Sequence, residues 1–282
     1  MERQQQHKVA AGPVLVLGAS GRIGSVLRVV WPQGAGRWQT RGSPVPGGVL
    51  CDPLADPEGL AHAAQGCRAV LCLAGPVPGP GVDLGCHVPL ARAAVEAGAA
   101  AGVPVLLASS AAVYGAQDGL LGEATPPMPI SAYAKVKCAM EQEGQACGAR
   151  LGVSVTALRI GNIAGLDAIL GGWQPGFQLD RFEDGTTPAR SYIGVKTLAQ
   201  SLLRLAHIPD LPPVLNIAAP GVVQMGALLD AAGLAWHPRV APPEAIPAVA
   251  LDVTRLTTFV PLAPDAGLAH RLVAEWHGME GT

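Results

Sequence analysis

Over the first two-thirds of the chain, short apolar runs alternate with longer stretches of helical period. "PVLVLG" (13–18) is apolar without interruption, the pattern of a strand covered on both faces. A helix is predicted from about Arg22 to Val30, and "GRWQT" (36–40) is a weaker second strand. The helix-like "PEGLAHAAQG" precedes a strong third strand, "RAVLCLAG" (68–75). "VPLARAAVEAGAAAG" (88–102) is a helix ended by glycine, and "VPVLLASS" (103–110) the fourth strand. A long helix runs from Ser131, its N-cap, to about Gly148, before a fifth strand in "GVSVTALRI" (152–160). Residues 161–188 are Gly-rich and irregular, and helix (195–208) and strand (212–219) then return. In the tail, the Pro-rich "HPRVAPPEAIPAVA" separates two helices near 224–233 and 264–277. No internal repeat is present. This alternation predicts the α/β class, with a doubly wound parallel sheet.

Composition narrows the function classes. A chain of 282 residues suits one large α/β domain or a main domain with a smaller lobe. Only 14% of residues are charged, against about 25% in an average protein, and the formal net charge is −2. Neither nucleic acid nor an anionic membrane surface finds a basic patch to bind. No apolar run reaches the ~18 residues of a membrane span. The start, "MERQQQHKVAAGPVLVLGAS", has the look of a signal peptide, but its apolar stretch runs straight into a glycine motif that a mature fold needs. Six cysteines form no C-x-x-C pair and are expected to be buried, reduced thiols; the expected compartment is the cytoplasm. Cys86 and His87 are adjacent but lack a nearby third ligand, so no metal site is expected.

Two short stretches carry candidate chemistry. "GASGRIG" (18–24) lies between the first strand and the first helix. Its glycines allow a tight turn and let a pyrophosphate approach amide donors at the helix N-terminus. The second is "SAYAKVK" (131–137), which holds one of three tyrosines and two of four lysines. Tyr133 and Lys137, at i and i+4, share a helix face, whereas Lys135 lies about 200° around from Tyr133. Free tyrosine, with a pKa near 10, is a poor acid or base at neutral pH. An ammonium one turn away favours the phenolate and brings the phenol into a useful range.

"GASGRIG", "SSAAVYG" (109–115) and "YAKVK" (133–137), in that order, resemble the extended short-chain dehydrogenase/reductase superfamily, and within it the NAD(P)-dependent epimerase/dehydratase family. "LRIGN" (158–162) and "DGTTPARSYIGVKTLA" (184–199) are similar to that family's "LRxxN" and "DGxxxRDFIHVxDLA". The likeness covers roughly residues 13–219. It implies a Rossmann-like fold with a small C-terminal substrate lobe. The expected division is a tail at 1–12, a dinucleotide-binding domain at 13–165 joined by 191–219, and a substrate lobe at 166–190 and 220–282.

The resemblance also implies roles. Tyr133 is the general acid/base, Lys137 supports it and binds the nicotinamide ribose, and Ser110, four residues before Tyr114, orients the reacting oxygen. Gly18, Ser20, Gly21, Arg22, Ile23 and Gly24 are expected around the pyrophosphate, Asp52 at the adenine, and Leu73, Ala74 and Gly75 near the pyrophosphate and ribose. NAD-specific members end the second strand in an acid that binds the ribose 2′-OH. Here "WQTRGS" offers Arg41 instead, which favours NADP(H) over NAD(H) through charge-assisted contacts to a 2′-phosphate.

Asn162 and Arg190 fall where the family binds a substrate diphosphate, although a surface ion pair of Arg190 with Asp184 or Glu183 is the bland alternative. The family's "RDFIHVxD" reads "RSYIGVKT" here, and the C-terminal lobe is short; both weigh against a nucleotide-sugar. The expected partner is a small molecule, a sugar or related alcohol or ketone, and a homodimer is left open. An NAD(P)-dependent oxidoreductase or epimerase is the favoured function. The rival is a non-catalytic dinucleotide-binding redox sensor, a class that commonly lacks the Tyr-x-x-x-Lys pair.

Overall fold

The computed structural model describes residues 12–279, so the expected tail lies, Gly12 apart, outside the described residues. The strands, in chain order, are β1 (Val14–Leu17), β2 (Gly36–Thr40), β3 (Gly48–Leu50), β4 (Ala69–Cys72), β5 (Val105–Ser110), β6 (Leu120–Leu121), β7 (Val155–Ile160), β8 (Asn162–Ile163), β9 (Gln178–Arg181), β10 (Ala189–Arg190), β11 (Tyr192–Ile193), β12 (Val214–Ile217), β13 (Val223–Gln224), β14 (His237–Val240) and β15 (Ala248–Leu251). The helices are α1 (Arg22–Val30), α2 (Pro57–Ala64), α3 (His87–Ala101), α4 (Ala132–Leu151), α5 (Val195–Leu205), α6 (Met225–Ala231), α7 (Thr254–Phe259) and α8 (Ala269–His277). The chain packs as two units. One comprises residues 12–108, 139–157 and 202–213, and the other 109–138, 158–201 and 214–279.

The large sheet has the order β12-β7-β5-β4-β1-β2-β3. β1 pairs in parallel with β2 and with β4, so Leu17 stands between Gln39 and Cys72. From β1 the chain winds outward through β2 and β3, then crosses back to β4. That reversal is the switch point at which doubly wound sheets open a crevice beyond their strand C-termini. All four β1 side chains are buried, which is why its sequence shows no polar alternation. Leu15 and Leu17 share a core with Val70 and Cys72 of β4, Leu60 of α2, and Ala91, Ala94 and Val95 of α3. Each fully buried leucine there contributes about 1.5–3 kcal/mol.

The long helix begins where its cap signal sits. Ser131 Oγ accepts the Ala134 N–H at 3.1 Å, at the third helical position. Asp56 caps α2 in the same way through the Gly59 N–H, with Pro57 at the first helical position.

The second unit holds smaller sheets, ordered β13-β10-β15-β6, β11-β8 and β14-β9. Tyr192, Leu170, Leu228 and Leu272 lie in its apolar core. A buried polar knot stands beside it. Tyr114 donates to Asn216 Oδ1 at 2.7 Å, the Arg159 guanidinium lies 4.9 Å from the Tyr114 ring centroid, and Asn216 Nδ2 donates to the Leu121 and Asp252 carbonyls. Pairing the Tyr114 hydroxyl and the Asn216 amide in this way avoids the desolvation cost of leaving them unpaired.

Four elements depart from the sequence-based expectation. β3 is only three residues long, too short to show a period, so the strong run at 69–72 is the fourth strand rather than the third. β14 and β15 lie within the Pro-rich tail. Pro238 is tolerated there because β14 pairs only with β9, at the edge of a two-stranded ribbon. α7 adds a six-residue helix that has no side-chain cap.

Candidate active site

A cleft of about 380 Å³ opens at the C-terminal ends of β1, β2 and β4. Gly18, Ser20 and Gly21 line it after β1, Arg41 after β2, and Leu73, Ala74 and Gly75 after β4. Gly18 has φ +80°, and a Cβ there would stand 2.8 Å from the Ala74 backbone. Only glycine lets the first turn and the β4 loop approach so closely. α1 starts from Gly21, which has no side chain to cap the N-terminal amides of the helix. The cleft therefore fits a dinucleotide pyrophosphate, with the α1 N-terminus turned to its charge.

The remaining expected cofactor residues are placed differently. Arg22 is exposed, Ile23 half-buried and Gly24 buried beneath the turn. Asp52 Oδ1 accepts the N–H groups of Leu54 and Ala55, and the cleft wall beside it is made by Pro53 and Leu54. Arg41 is exposed and stands one residue past β2.

Two residues that shape this cleft were not among the expected cofactor residues. His87 is buried at the start of α3, and its Nε2 lies 3.0 Å from the Pro76 carbonyl oxygen. A Cβ on Gly75 would meet the His87 ring at 2.1 Å, so the ring fits only against glycine. Gln39 is also buried. Its Oε1 accepts the Gly18 N–H at 3.0 Å and its Nε2 donates to the Cys51 carbonyl at 2.6 Å. A lone amide inside a short strand was the available hint.

In the second unit, the first turns of α4 carry Tyr133 and Lys137. Lys137 Nζ lies 5.7 Å from the Tyr133 ring centroid. Lys137 is 5% exposed, whereas Lys135 points to solvent. The i, i+4 pair thus shares one face and the intervening lysine leaves it. Ser110 ends β5, and its Oγ accepts the Ala112 N–H at 3.2 Å. Its neighbour Ser109 is buried on the opposite side of the strand, as period-two alternation requires.

Asn162 and Arg190 both stand near Tyr192. Asn162 pairs with Tyr192 across the β8–β11 ladder. The Tyr192 hydroxyl donates to Asp167 Oδ2 at 2.7 Å. Burial first, and then the Asp167 charge, push the Tyr192 phenol far above its ordinary range. Burial also lowers the Arg190 guanidinium below its ordinary value. Arg190 donates to the Ala189 carbonyl at 2.7 Å and forms no ion pair with Asp184 or Glu183; Asp184 instead accepts from Thr186.

The departures from "RDFIHVxD" have internal partners. Ser191 Oγ accepts the Leu251 N–H and donates to the Gly221 carbonyl. Gly194 stands where a Cβ would meet Glu275 Oε2 at 2.2 Å. That carboxylate, on α8, accepts the N–H groups of Lys196 and Thr197 and the Thr197 hydroxyl. Glu275 therefore caps α5 from a distant helix. A separation of 79 residues left no local signal.

Six cysteines are free, four of them buried. Among the described residues, no cluster of three or more His, Cys, Asp or Glu is placed to hold a metal ion, and no helix is long and apolar enough to cross a membrane.

Solved structures share this architecture. MoeE5 in complex with UDP-glucuronic acid and NAD is 26% identical with TM-score 0.73, over 95% of this chain and 100% of that one. Its complex with UDP-glucose and NAD gives TM-score 0.75 at 26% identity, over 96% and 100%. UDP-glucose-4-epimerase from Stenotrophomonas maltophila, with bound NAD and formylated UDP-arabinopyranose, gives TM-score 0.78 at 20% identity, over 96% and 98%. No curated protein matches the sequence. The defining pattern of the NAD dependent epimerase/dehydratase family matches residues 14–169, more than half of the chain, and the protein belongs to that family of enzymes.

Proposed function

We propose that this protein moves hydride between a nicotinamide dinucleotide and a secondary alcohol or ketone of a diphosphate-linked sugar, as an oxidoreductase or an epimerase. The observation that carries this reading is the Tyr133–Lys137 pair, with Lys137 buried against the phenol and Lys135 turned away. The bound nicotinamide supplies the hydride acceptor or donor. Tyr133 Oη takes the hydroxyl proton as hydride leaves the same carbon, and returns it when hydride comes back. The Lys137 ammonium lowers the cost of the phenolate that this creates. Ser110 Oγ, already fixed by the Ala112 N–H, orients the reacting oxygen.

For the substrate, Arg190 is a half-buried guanidinium that supports an anionic group. MoeE5, whose whole length this chain matches, is complexed with UDP-sugars, so lobe length does not weigh against a nucleotide-sugar. The altered "RSYIGVKT" segment does not either, since its changes serve internal bonds. Between the dinucleotides, Arg41 at the cleft supports NADP(H). The relatives' complexes contain NAD and lend that preference no support, so it rests on Arg41 alone.

Incubation with UDP-glucose or UDP-glucuronic acid and each dinucleotide, followed by NMR of the sugar signals, tests the reading. Epimer and oxidised product are both visible there. Dinucleotide binding without turnover of any sugar or ketone in a broad panel would favour the sensor instead.

A further inference from the structure

We propose that Gln39 is a positioning residue for the adenosine end of the dinucleotide, a role that rests on the cofactor reading above. The turn at Gly18 aims two successive N–H groups at β2. Gln39 meets both: its carboxamide Oε1 accepts from Gly18 at 3.0 Å and its main-chain carbonyl accepts from Ala19 at 3.1 Å. Its Nε2 then reaches past β2 to the Cys51 carbonyl at 2.6 Å, beyond the end of β3. One side chain thereby ties the C-terminal ends of three consecutive parallel strands together in the wall of the cleft.

The chemistry demands an amide. A carboxylate has no donor for the Cys51 carbonyl, and an aliphatic chain leaves the Gly18 N–H without its acceptor. Gln39 is 1% exposed and each end of its amide already has an internal partner, so its role is to position rather than to bind a ribose hydroxyl. Recognition at the 2′ position falls instead to the turn that Gln39 anchors. There Thr40 Oγ1 donates to the Ser43 carbonyl at 2.8 Å and Arg41 projects from the bend. Gln39 holds the glycine turn and the Arg41 turn in register, so it sets both the affinity for the dinucleotide and the contrast at the 2′ position.

The test is calorimetric titration of NAD, NADP and nicotinamide mononucleotide into wild type, Gln39→Leu and Gln39→Glu, with melting curves to establish folding. Gln39→Leu is expected to weaken both dinucleotides about tenfold or more, because the loosened turn must be re-ordered on binding, while the mononucleotide is unaffected. Gln39→Glu keeps the shape and the acceptor but adds negative charge two residues from Arg41 in the same cleft wall, so it should weaken NADP more than NAD. If Gln39→Leu does not fold, the change in the NADP/NAD ratio of Gln39→Glu decides alone. Unchanged affinities and an unchanged ratio in the folded variants overturn the proposal, and so does equal weakening of the mononucleotide. A wild type that binds neither dinucleotide sinks the underlying cofactor reading instead.

Discussion

Arg41 stands one residue beyond β2, where an acid would bind a ribose hydroxyl. Charge-assisted hydrogen bonds to a 2′-phosphate are worth about 1.5–3 kcal/mol, so Arg41→Ala should weaken NADP(H) about tenfold or more and leave NAD(H) unchanged. Titrating both cofactors at low and high salt checks this, since an exposed contact fades with ionic strength. Equal effects on the two cofactors would return Arg41 to an ordinary surface residue. Asp167 allows a second prediction at this scale. Burial raises its carboxyl above the usual range, against the opposing hydrogen bonds from Tyr192 and the Leu170 N–H. The folded state therefore holds more protons than the unfolded chain between pH ~4 and the raised value. This group's contribution to stability falls as pH rises through that window and stays low above it. Asp167→Asn removes the titration, so the variant should gain on wild type from pH ~4 to neutrality in paired melting curves. A constant difference between the two curves would contradict the assignment.

Elements with a long period or an unbroken apolar run were legible in the sequence. β1, α1, α3 and α4 announce themselves through Val14–Leu17, glycine punctuation and the Ser131 cap. β3, β14, β15 and α7 did not, because three to six residues beside prolines display no period. Long-range caps are equally silent. Gly194 cannot cap α5, and Glu275 does so from α8. Losing such a cap typically costs about 0.5–2 kcal/mol, so Glu275→Ala should lower Tm by a few degrees. Gly194→Ala should do similar damage from the other side, since its Cβ would meet the same carboxylate. A melting temperature unmoved in both variants would show that the α8 carboxylate does not hold α5.

At the scale of the whole molecule, the ordered motifs disclosed the family and the parallel sheet, and they nominated the Tyr133–Lys137 face. The glycine turn was legible too, but the Gln39 tie across three strands was not, because it joins residues that only the folded sheet brings together. The central claim is that one phenol and one lysine on α4 carry proton transfer. Its most direct test compares turnover of UDP-glucose and UDP-glucuronic acid by wild type, Tyr133→Phe, Lys137→Met and Lys135→Met, read by NMR of the sugar. General acid–base catalysis contributes about a hundred- to ten-thousand-fold, so Tyr133→Phe and Lys137→Met should lose at least about that much while the exposed Lys135→Met stays near wild type. Equal losses at Lys135 and Lys137, or a Tyr133→Phe protein that keeps more than about a tenth of its rate, would contradict it.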